Sequence, residues 1–355
     1  MFIVTNRAID ESASGLNKLG AKPNSEGPNE LRLVEAQKSA GRWNIDILPD
    51  AITDKMKREV DITDTGPVFA SRYVARKLLK QVRTEKRNFL FFVHGYNNDF
   101  EAMLDRAAGF AREYGVEVVA FSWPANGGGM HGVASYMSDK RDARASIGAL
   151  DRALAKMADY LNEFNAENYH IIAMGAVKKF PDNYEARNEY ITAITERGCP
   201  FTVNMALHSM GNYLYKQLLL SSVYRARTLL FDNVIMVAAD TNNEGHEQWV
   251  DQINCRRRTY VTINEDDAAL LASRMKAGGD QKARLGHYPY NLQSVQAVYV
   301  DFTSAPWVRQ SHAYFEGTSL RNRSVQQFFK KAFNGERAEE DLAYDAARGL
   351  YTFRR

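Results

Sequence analysis

Cysteine is almost absent from the sequence. Of 355 residues only Cys199 and Cys255 are cysteines, and no C-x-x-C pair or cluster of cysteine and histidine occurs. Two widely separated cysteines provide no disulfide framework and no zinc site with the usual ligand spacing. We therefore predict no structural disulfide and no bound metal.

An excess of charge and a long apolar run are also lacking. The 46 basic and 43 acidic residues leave a net charge of +3, which is too balanced to indicate a nucleic-acid partner. No apolar run approaches the ~20 residues that a membrane-spanning helix needs. The first residues lack the basic and then apolar layout of a signal peptide. A cytoplasmic protein without a transmembrane segment is the expectation.

From residue 88 onward, segments typical of buried strands alternate with segments typical of helices. The run at 88–93 is almost entirely apolar, as expected for a strand covered on both faces of a parallel sheet. The further predicted strands are 116–121, 201–207, 233–239, 258–263 and 297–302. This alternation predicts an α/β fold with a mostly parallel, doubly wound sheet flanked by helices on both faces.

Two segments depart from this regular pattern. Residues 1–65 hold short strand-like stretches separated by loop residues, and we predict an N-terminal extension packed on a main domain at 66–355. Residues 169–199 stand where a short loop would normally join a helix to a strand. This segment begins strand-like at 169–174 and becomes helical from about 184 to 197, which predicts a lid-like insertion.

The sequence Ala-Leu-His-Ser-Met-Gly-Asn at 206–212 joins a predicted strand to a predicted helix. Ser209 in this position has the context of the nucleophile elbow G-x-S-x-G, which exposes a serine hydroxyl at the carboxyl end of a sheet. Gly211 fits the motif, but Leu207 stands where the first glycine is expected. The alternative is that Ser209 is only the N-cap of the helix.

An acid and a histidine follow later predicted strands. A serine needs a base that takes its proton and an acid that orients the base, in the chain order Ser, Asp/Glu, His. Asp267 follows the strand at 258–263, and His312 follows the last predicted strand, so both have the required order. The alternatives are Glu265, Asp266 and Asp240 for the acid, and His287 for the base.

Two backbone amides are candidates for an oxyanion hole. One belongs to Met210, directly after the predicted nucleophile, and the other to Tyr96, in the loop after the first buried strand. Gly95 permits the close turn that presents the second amide.

Several short motifs, taken in this order, resemble one protein family. They are His-Gly-Tyr-Asn at 94–97, Phe-Ser-Trp-Pro at 121–124, His-Ser-Met-Gly-Asn at 208–212, Asp-Ala-Ala-Leu at 267–270, Arg-Leu-Gly at 284–286 and Ser-His-Ala-Tyr-Phe at 311–315. Together they resemble the bacterial α/β-hydrolases grouped as a family of unknown function, DUF900. The resemblance implies an α/β-hydrolase fold with Ser209 as nucleophile, Asp267 as acid and His312 as base. The segment at 169–199 and the N-terminal segment are where we expect a departure from the family.

These observations predict a serine hydrolase of the esterase or lipase type. It would cleave an ester or related bond of a small acyl substrate through an acyl-serine intermediate, without a cofactor. We expect Gly95, Trp123 and His208 beside the substrate, although His208 and Trp123 also fit structural roles. Glycines at 127–129 predict a loop over the site. A binding protein without catalysis is the alternative, because Leu207 would crowd the elbow; the oligomeric state is not predicted.

Overall fold

The computed structural model describes residues 1–27, 30–96, 99–125, 132–196, 199–222, 229–275 and 282–353. Its strands are β1 (Phe2–Thr5), β2 (Arg7–Ile9), β3 (Leu19–Pro23), β4 (Arg32–Ser39), β5 (Arg42–Ile47), β6 (Asn88–Val93), β7 (Val116–Ser122), β8 (Val203–His208), β9 (Phe231–Val237), β10 (Cys255–Ile263), β11 (Ala297–Asp301), β12 (Ala343–Asp345) and β13 (Leu350–Thr352).

The helices lie mainly between the strands of the second half of this series. They are α1 (Asp54–Glu59), α2 (Ala70–Glu85), α3 (Phe100–Tyr114), α4 (Gly132–Ala145), α5 (Ile147–Lys179), α6 (Tyr184–Thr195), α7 (Met210–Leu219), α8 (Glu247–Val250), α9 (Ala268–Met275) and α10 (Arg323–Phe333).

Eleven of the strands form one sheet in the order β12-β13-β11-β10-β9-β8-β6-β7-β1-β4-β5. The eight consecutive strands from β13 to β1 are parallel, and the strands at the two edges of the sheet are antiparallel to their neighbours. The carboxyl ends of the parallel strands therefore meet along one edge, which is where ligand sites of open α/β sheets lie.

Helices cover both faces of this sheet. Successive side chains of β6 alternate between two apolar cores: Phe89, Phe91 and Val93 in one, Leu90 and Phe92 in the other. Helices α2, α5 and α7 contribute to the first core, whereas α3 and α10 contribute to the second. The predicted α/β fold, with a mostly parallel sheet between two helical layers, is confirmed. The aromatic side chains of α10 are buried in the second core.

Three strands of the first 65 residues form part of the large sheet itself, whereas β2 and β3 pair with each other in a separate two-stranded sheet. Strand β1 pairs in parallel with β7 and antiparallel with β4, and β5 extends this edge. The expected extension packed on the main domain was therefore wrong in its placement, because β1 lies hydrogen-bonded inside the sheet. The four apolar-rich residues of β1 are too few to reveal their pairing partner from the sequence.

The segment at 169–174 is helical, so the predicted strand there was wrong. It belongs to α5, which continues over 33 residues to Lys179. Paired β-branched residues at 171 and 172 favour a strand locally, but the flanking residues are good helix formers, and α6 packs back along α5. The helix predicted from residue 184 corresponds to α6, with Asn183 as its N-cap, accepting from the Ala186 N–H at 2.9 Å. A lid function for this hairpin stays a prediction.

Candidate active site

Ser209 occupies a strained turn between β8 and α7. Its φ of 53° and ψ of −121° lie outside the regions that a non-glycine residue normally adopts. The surrounding hydrogen bonds hold it there: the Ser209 N–H donates to the Val237 carbonyl at 3.0 Å, and the Asn212 amide donates to the Ser209 and Leu207 carbonyls, each at 3.1 Å. Strain that several neighbours enforce in this way is characteristic of functional sites.

The turn is possible because glycines let two loops approach each other. A Cβ on Gly95 would lie 2.6 Å from the Ser209 Cβ, and a Cβ on Gly211 would lie 2.6 Å from the Val93 carbonyl oxygen. Leu207, which replaces the first glycine of the motif, is a β8 residue whose side chain is buried in the first apolar core. The leucine therefore leaves the elbow geometry intact.

The Gly211→Ala variant should be destabilised by roughly 1–3 kcal/mol, since the added methyl group meets two backbone carbonyls that cannot rotate away. The measurement is urea unfolding at neutral pH, followed by circular dichroism. Gly109→Ala is the matched control, because a Cβ at this α3 position meets no atom within 4 Å. The control substitution should leave the free energy of unfolding unchanged or raise it slightly. Equal stability of the two variants would contradict the close approach at Gly211.

His312 and Asp267 form a hydrogen-bonded pair next to the elbow. The His312 Nδ1 lies 2.7 Å from the Asp267 Oδ2, and the Asp267 side chain has no exposed surface. The other carboxylate oxygen of Asp267 accepts the N–H groups of Ala269 and Leu270, both at 2.9 Å, at the start of α9. Helix α9 therefore fixes the position of Asp267. The Asp267 carboxylate in turn fixes the orientation of the His312 imidazole.

Two further residues, which the sequence analysis did not single out as positioning groups, hold the loop that carries His312. The Asn264 amide, at the end of β10, donates to the Arg309 and Ser311 carbonyls at 2.9 and 3.0 Å. The Tyr314 hydroxyl contacts Thr262 of the same strand at 2.5 Å. The His208 ring packs against the His312 ring with 4.7 Å between centroids. The only sequence signal for Asn264 was an amide at the carboxyl end of a buried strand.

The alternative acids and base have other environments. Glu265 and Asp266 are exposed, whereas Asp240 is buried and lies 2.7 Å from the Ser273 hydroxyl and 3.1 Å from the Arg284 Nε. His287 is buried, which lowers its pKa, and in the part of the chain described it has no hydrogen bond to a carboxylate. Among these candidates Asp267 and His312 are the pair in direct contact.

The two proposed oxyanion loops differ in how they are held. Met210 is the first residue of α7, where a backbone N–H has no partner within the helix. Tyr96 follows Gly95 and packs its ring on Tyr136, 5.7 Å between centroids. Trp123 is fully buried, stacks on the His94 ring and donates to the His94 carbonyl at 2.9 Å. Trp123 therefore supports the Gly95 loop, and its contact with a substrate stays a prediction.

Both histidines beside the elbow loops are neutral. Burial, and secondarily the charge of Arg7, lower the pKa of His94 to about 3. Burial, with the neighbouring His312, lowers the pKa of His208 well below its usual value. Neither histidine therefore contributes positive charge at neutral pH. The His208 ring contacts the His312 loop through its Nε2, which lies 3.1 Å from the His312 carbonyl oxygen.

Comparison with protein-family models identifies the family of this chain. The model of DUF900, an α/β-hydrolase family of unknown function, matches residues 71–176 and 183–303, which is more than half of the chain. The chain belongs to the DUF900 family. No curated protein and no solved structure matches it.

The limits of the family match bear on two expectations. The match covers the segment at 169–199 except for 177–182, so the α5–α6 hairpin is largely a family feature, and its expected departure from the family was wrong. Ser209 and Asp267 lie inside the match, whereas His312 lies after its end at residue 303. The role of His312 therefore depends on its contact with Asp267.

Neither a metal site nor a membrane span is evident in the described part of the chain. No group of three or more His, Cys, Asp or Glu side chains there is arranged to hold a metal ion. None of the helices described combines the length and apolar character needed to cross a bilayer. The glycines at 127–129, interpreted as a loop over the site, lie outside the described residues.

Proposed function

We propose that this member of the DUF900 family is a serine hydrolase that cleaves an ester or a related acyl bond. Ser209 is the nucleophile, His312 the general base and Asp267 the group that orients His312. The observation that carries the proposal is the His312–Asp267 contact of 2.7 Å, made beside a serine whose backbone is held at φ 53°. A capping serine requires neither the strained backbone nor a buried acid–histidine pair.

The proton positions follow from this contact. The Asp267 carboxylate accepts a hydrogen bond, so the His312 Nδ1 carries the proton and the Nε2 keeps its lone pair. That tautomer can accept the Ser209 proton as the hydroxyl oxygen attacks the carbonyl carbon. The resulting imidazolium is stabilised by Asp267 and then protonates the leaving group.

The developing negative charge needs fixed donors. We assign this role to the N–H groups of Met210 and Tyr96, which lie on the two loops brought together at Gly95 and Gly211. Water then attacks the acyl-serine with His312 as the base, and the acid product is released. A small acyl compound is the proposed substrate.

Reaction with a fluorophosphonate probe tests the nucleophile directly, because such a probe phosphonylates activated serines. We expect wild-type protein to be labelled and Ser209→Ala to remain unlabelled. Ser39→Ala, at the exposed last residue of β4, is the control and should be labelled like wild type.

Two results would contradict the proposal. Undiminished labelling of Ser209→Ala would place the reactive serine elsewhere. Absence of labelling in folded wild-type protein, with no hydrolysis of p-nitrophenyl acetate or p-nitrophenyl heptanoate, would favour a binding protein on an α/β-hydrolase scaffold.

A further inference from the structure

A second group of polar side chains lies beside the elbow and has no role in the proposed reaction. We call it the Asp240 cluster; it consists of Tyr136, Lys140, Lys216, Asp240, Ser273 and Arg284. Its centre is Asp240, which accepts from the Ser273 hydroxyl at 2.7 Å. The Arg284 Nε lies 3.1 Å from the same carboxylate oxygen, an ion pair without the linear geometry of a hydrogen bond. Arg284 also donates to Asn242 at 2.5 Å.

The Asp240 cluster adjoins the proposed nucleophile. The Asp240 N–H donates to the Ser209 carbonyl at 3.3 Å. The Tyr136 hydroxyl lies 3.2 Å from Ser273, and the Tyr136 ring packs on Tyr96 of the proposed oxyanion loop. Lys216 belongs to α7, the helix that begins directly after Ser209. A substrate bound at Ser209 would therefore extend toward these side chains.

Positive charge exceeds negative charge in this region. Arg284 is the ion-pair partner of Asp240, which leaves the amines of Lys140 and Lys216 without a carboxylate at ion-pair distance in the described residues. The Lys140 ammonium instead lies over the rings of Tyr136 and Tyr213, 5.0 and 5.3 Å from their centroids. Lys216 lies 5.9 Å from the Trp249 ring centroid. The Arg144 Nε donates to the Tyr213 hydroxyl at 2.7 Å, which adds a further cation.

The two amines are not ordinary surface lysines. Both are half-buried, and burial lowers the pKa of each. Among the neighbouring charges, Asp240 has the largest effect on Lys140 and raises its pKa, whereas Arg284, Arg144 and Lys216 lower it. Half-buried amines that repel one another lose hydration without gaining a counterion, which is a costly arrangement unless an anion completes it.

We infer that the substrate carries an anionic group, a carboxylate or a phosphate, which binds to Lys140 and Lys216 while its acyl carbon lies at Ser209. This inference rests on the proposed hydrolase function. The Asp240 carboxylate is held by Arg284 and Ser273, so it lies near Lys140 without forming an ion pair with it. The Tyr136 and Tyr213 rings position Lys140 through cation–π contacts without neutralising it.

A matched pair of esters tests the inference. Mono-p-nitrophenyl adipate carries a terminal carboxylate, and p-nitrophenyl heptanoate is its neutral counterpart of similar length. We expect kcat/KM to favour the adipate by tenfold or more in the wild type, and this preference to fall about tenfold in Lys140→Gln, as is typical for a lost charged contact. Lys178→Gln, at an exposed site on α5, should keep the wild-type preference. If Lys140→Gln does not fold, Lys216→Gln takes its place.

A binding measurement separates failure of the inference from failure of the hydrolase function. Inorganic phosphate and succinate, each compared with sodium chloride at equal ionic strength, should raise the Tm of wild type more than that of Lys140→Gln. The anion with the larger shift indicates whether a phosphate or a carboxylate is preferred. Stabilisation without hydrolysis of either ester would support the anion site and contradict the hydrolase function. Hydrolysis of both esters at equal kcat/KM, with no anion-dependent Tm shift, would overturn the inference and leave the hydrolase function in place.

Discussion

Asp267→Asn is expected to lower kcat about 10⁴-fold while leaving the protein folded. The substitution preserves the size of the side chain and removes only its charge. The Asp267 Oδ1 accepts two backbone N–H groups of α9, at 2.9 Å each, so the amide oxygen of an asparagine must take that side. Its NH₂ group then faces the His312 Nδ1, where the Asp267 Oδ2 now lies at 2.7 Å.

That orientation reverses the hydrogen bond to His312. An NH₂ group donates, so the Nδ1 must accept and the proton moves to the Nε2. An imidazole protonated at the Nε2 cannot accept the Ser209 proton at that nitrogen. The large effect therefore follows from a change of tautomer, with little change in packing.

The measurement is kcat for p-nitrophenyl ester hydrolysis, with circular dichroism spectra to show that the fold is kept. Asp266→Asn is the matched control, since this neighbouring carboxylate is exposed, and its kcat should equal that of wild type. An Asp267→Asn variant with near wild-type kcat would remove Asp267 from the mechanism. If Asp240→Asn were then inactive, the acid would be Asp240.

The sequence predicted those parts of the fold in which a single strong pattern decides the structure. Strand β6 is almost entirely apolar, and it is buried on both faces like β7, β8 and β9, so the composition of these strands alone distinguishes them from helices and loops. Strands β12 and β13 were missed, because three residues each carry no usable periodicity. The pairing of strands could not be predicted either, because it is non-local. Strand β1 pairs with β7, more than a hundred residues later in the chain, and no local sequence pattern indicates this.

The candidate site, like the fold, could be predicted from the sequence only in part. The order of Ser209, Asp267 and His312, each after a different strand, is a property of the sequence, and parallel topology brings such positions together. The choice between Asp267 and Asp240 was left open because both follow strands of that sheet. It depends on the partner of each carboxylate, which is His312 for Asp267 and Arg284 for Asp240. Contacts of this kind arise from tertiary packing, and the sequence spacing does not specify them.

Mild acid is expected to destabilise the protein through the neutral histidines beside the elbow. The pKa of His94 is about 3 in the folded protein, because of burial and the charge of Arg7, against about 6.5 in an unfolded chain. The unfolded state therefore binds a proton first as the pH falls. The stabilisation is complete above pH ~6.5 and is lost progressively as the pH falls toward 3, which amounts to about 2 kcal/mol at pH 5 for His94 alone.

The structure explains why His94 resists protonation. Its Nδ1 lies 2.9 Å from the Gly95 carbonyl oxygen, and its buried Nε2 has no hydrogen-bond partner in the described part of the chain. A second proton would therefore create a buried positive charge, which burial disfavours and the charge of Arg7 repels. The pKa of His208 is lowered in the same direction, so its contribution adds to that of His94.

His94→Asn separates this contribution from other effects of acid. Asparagine can still donate to the Gly95 carbonyl but does not titrate, although loss of the Trp123 stacking lowers stability at every pH. The quantity to compare is the loss of unfolding free energy between pH 7.5 and pH 5, measured with urea. That loss should be smaller by about 2 kcal/mol in His94→Asn than in wild type. His170→Asn, exposed on α5, should show the wild-type loss. An equal loss in all three proteins would mean that His94 accepts a proton without cost, and the packing of the Gly95 loop would then differ from the one described.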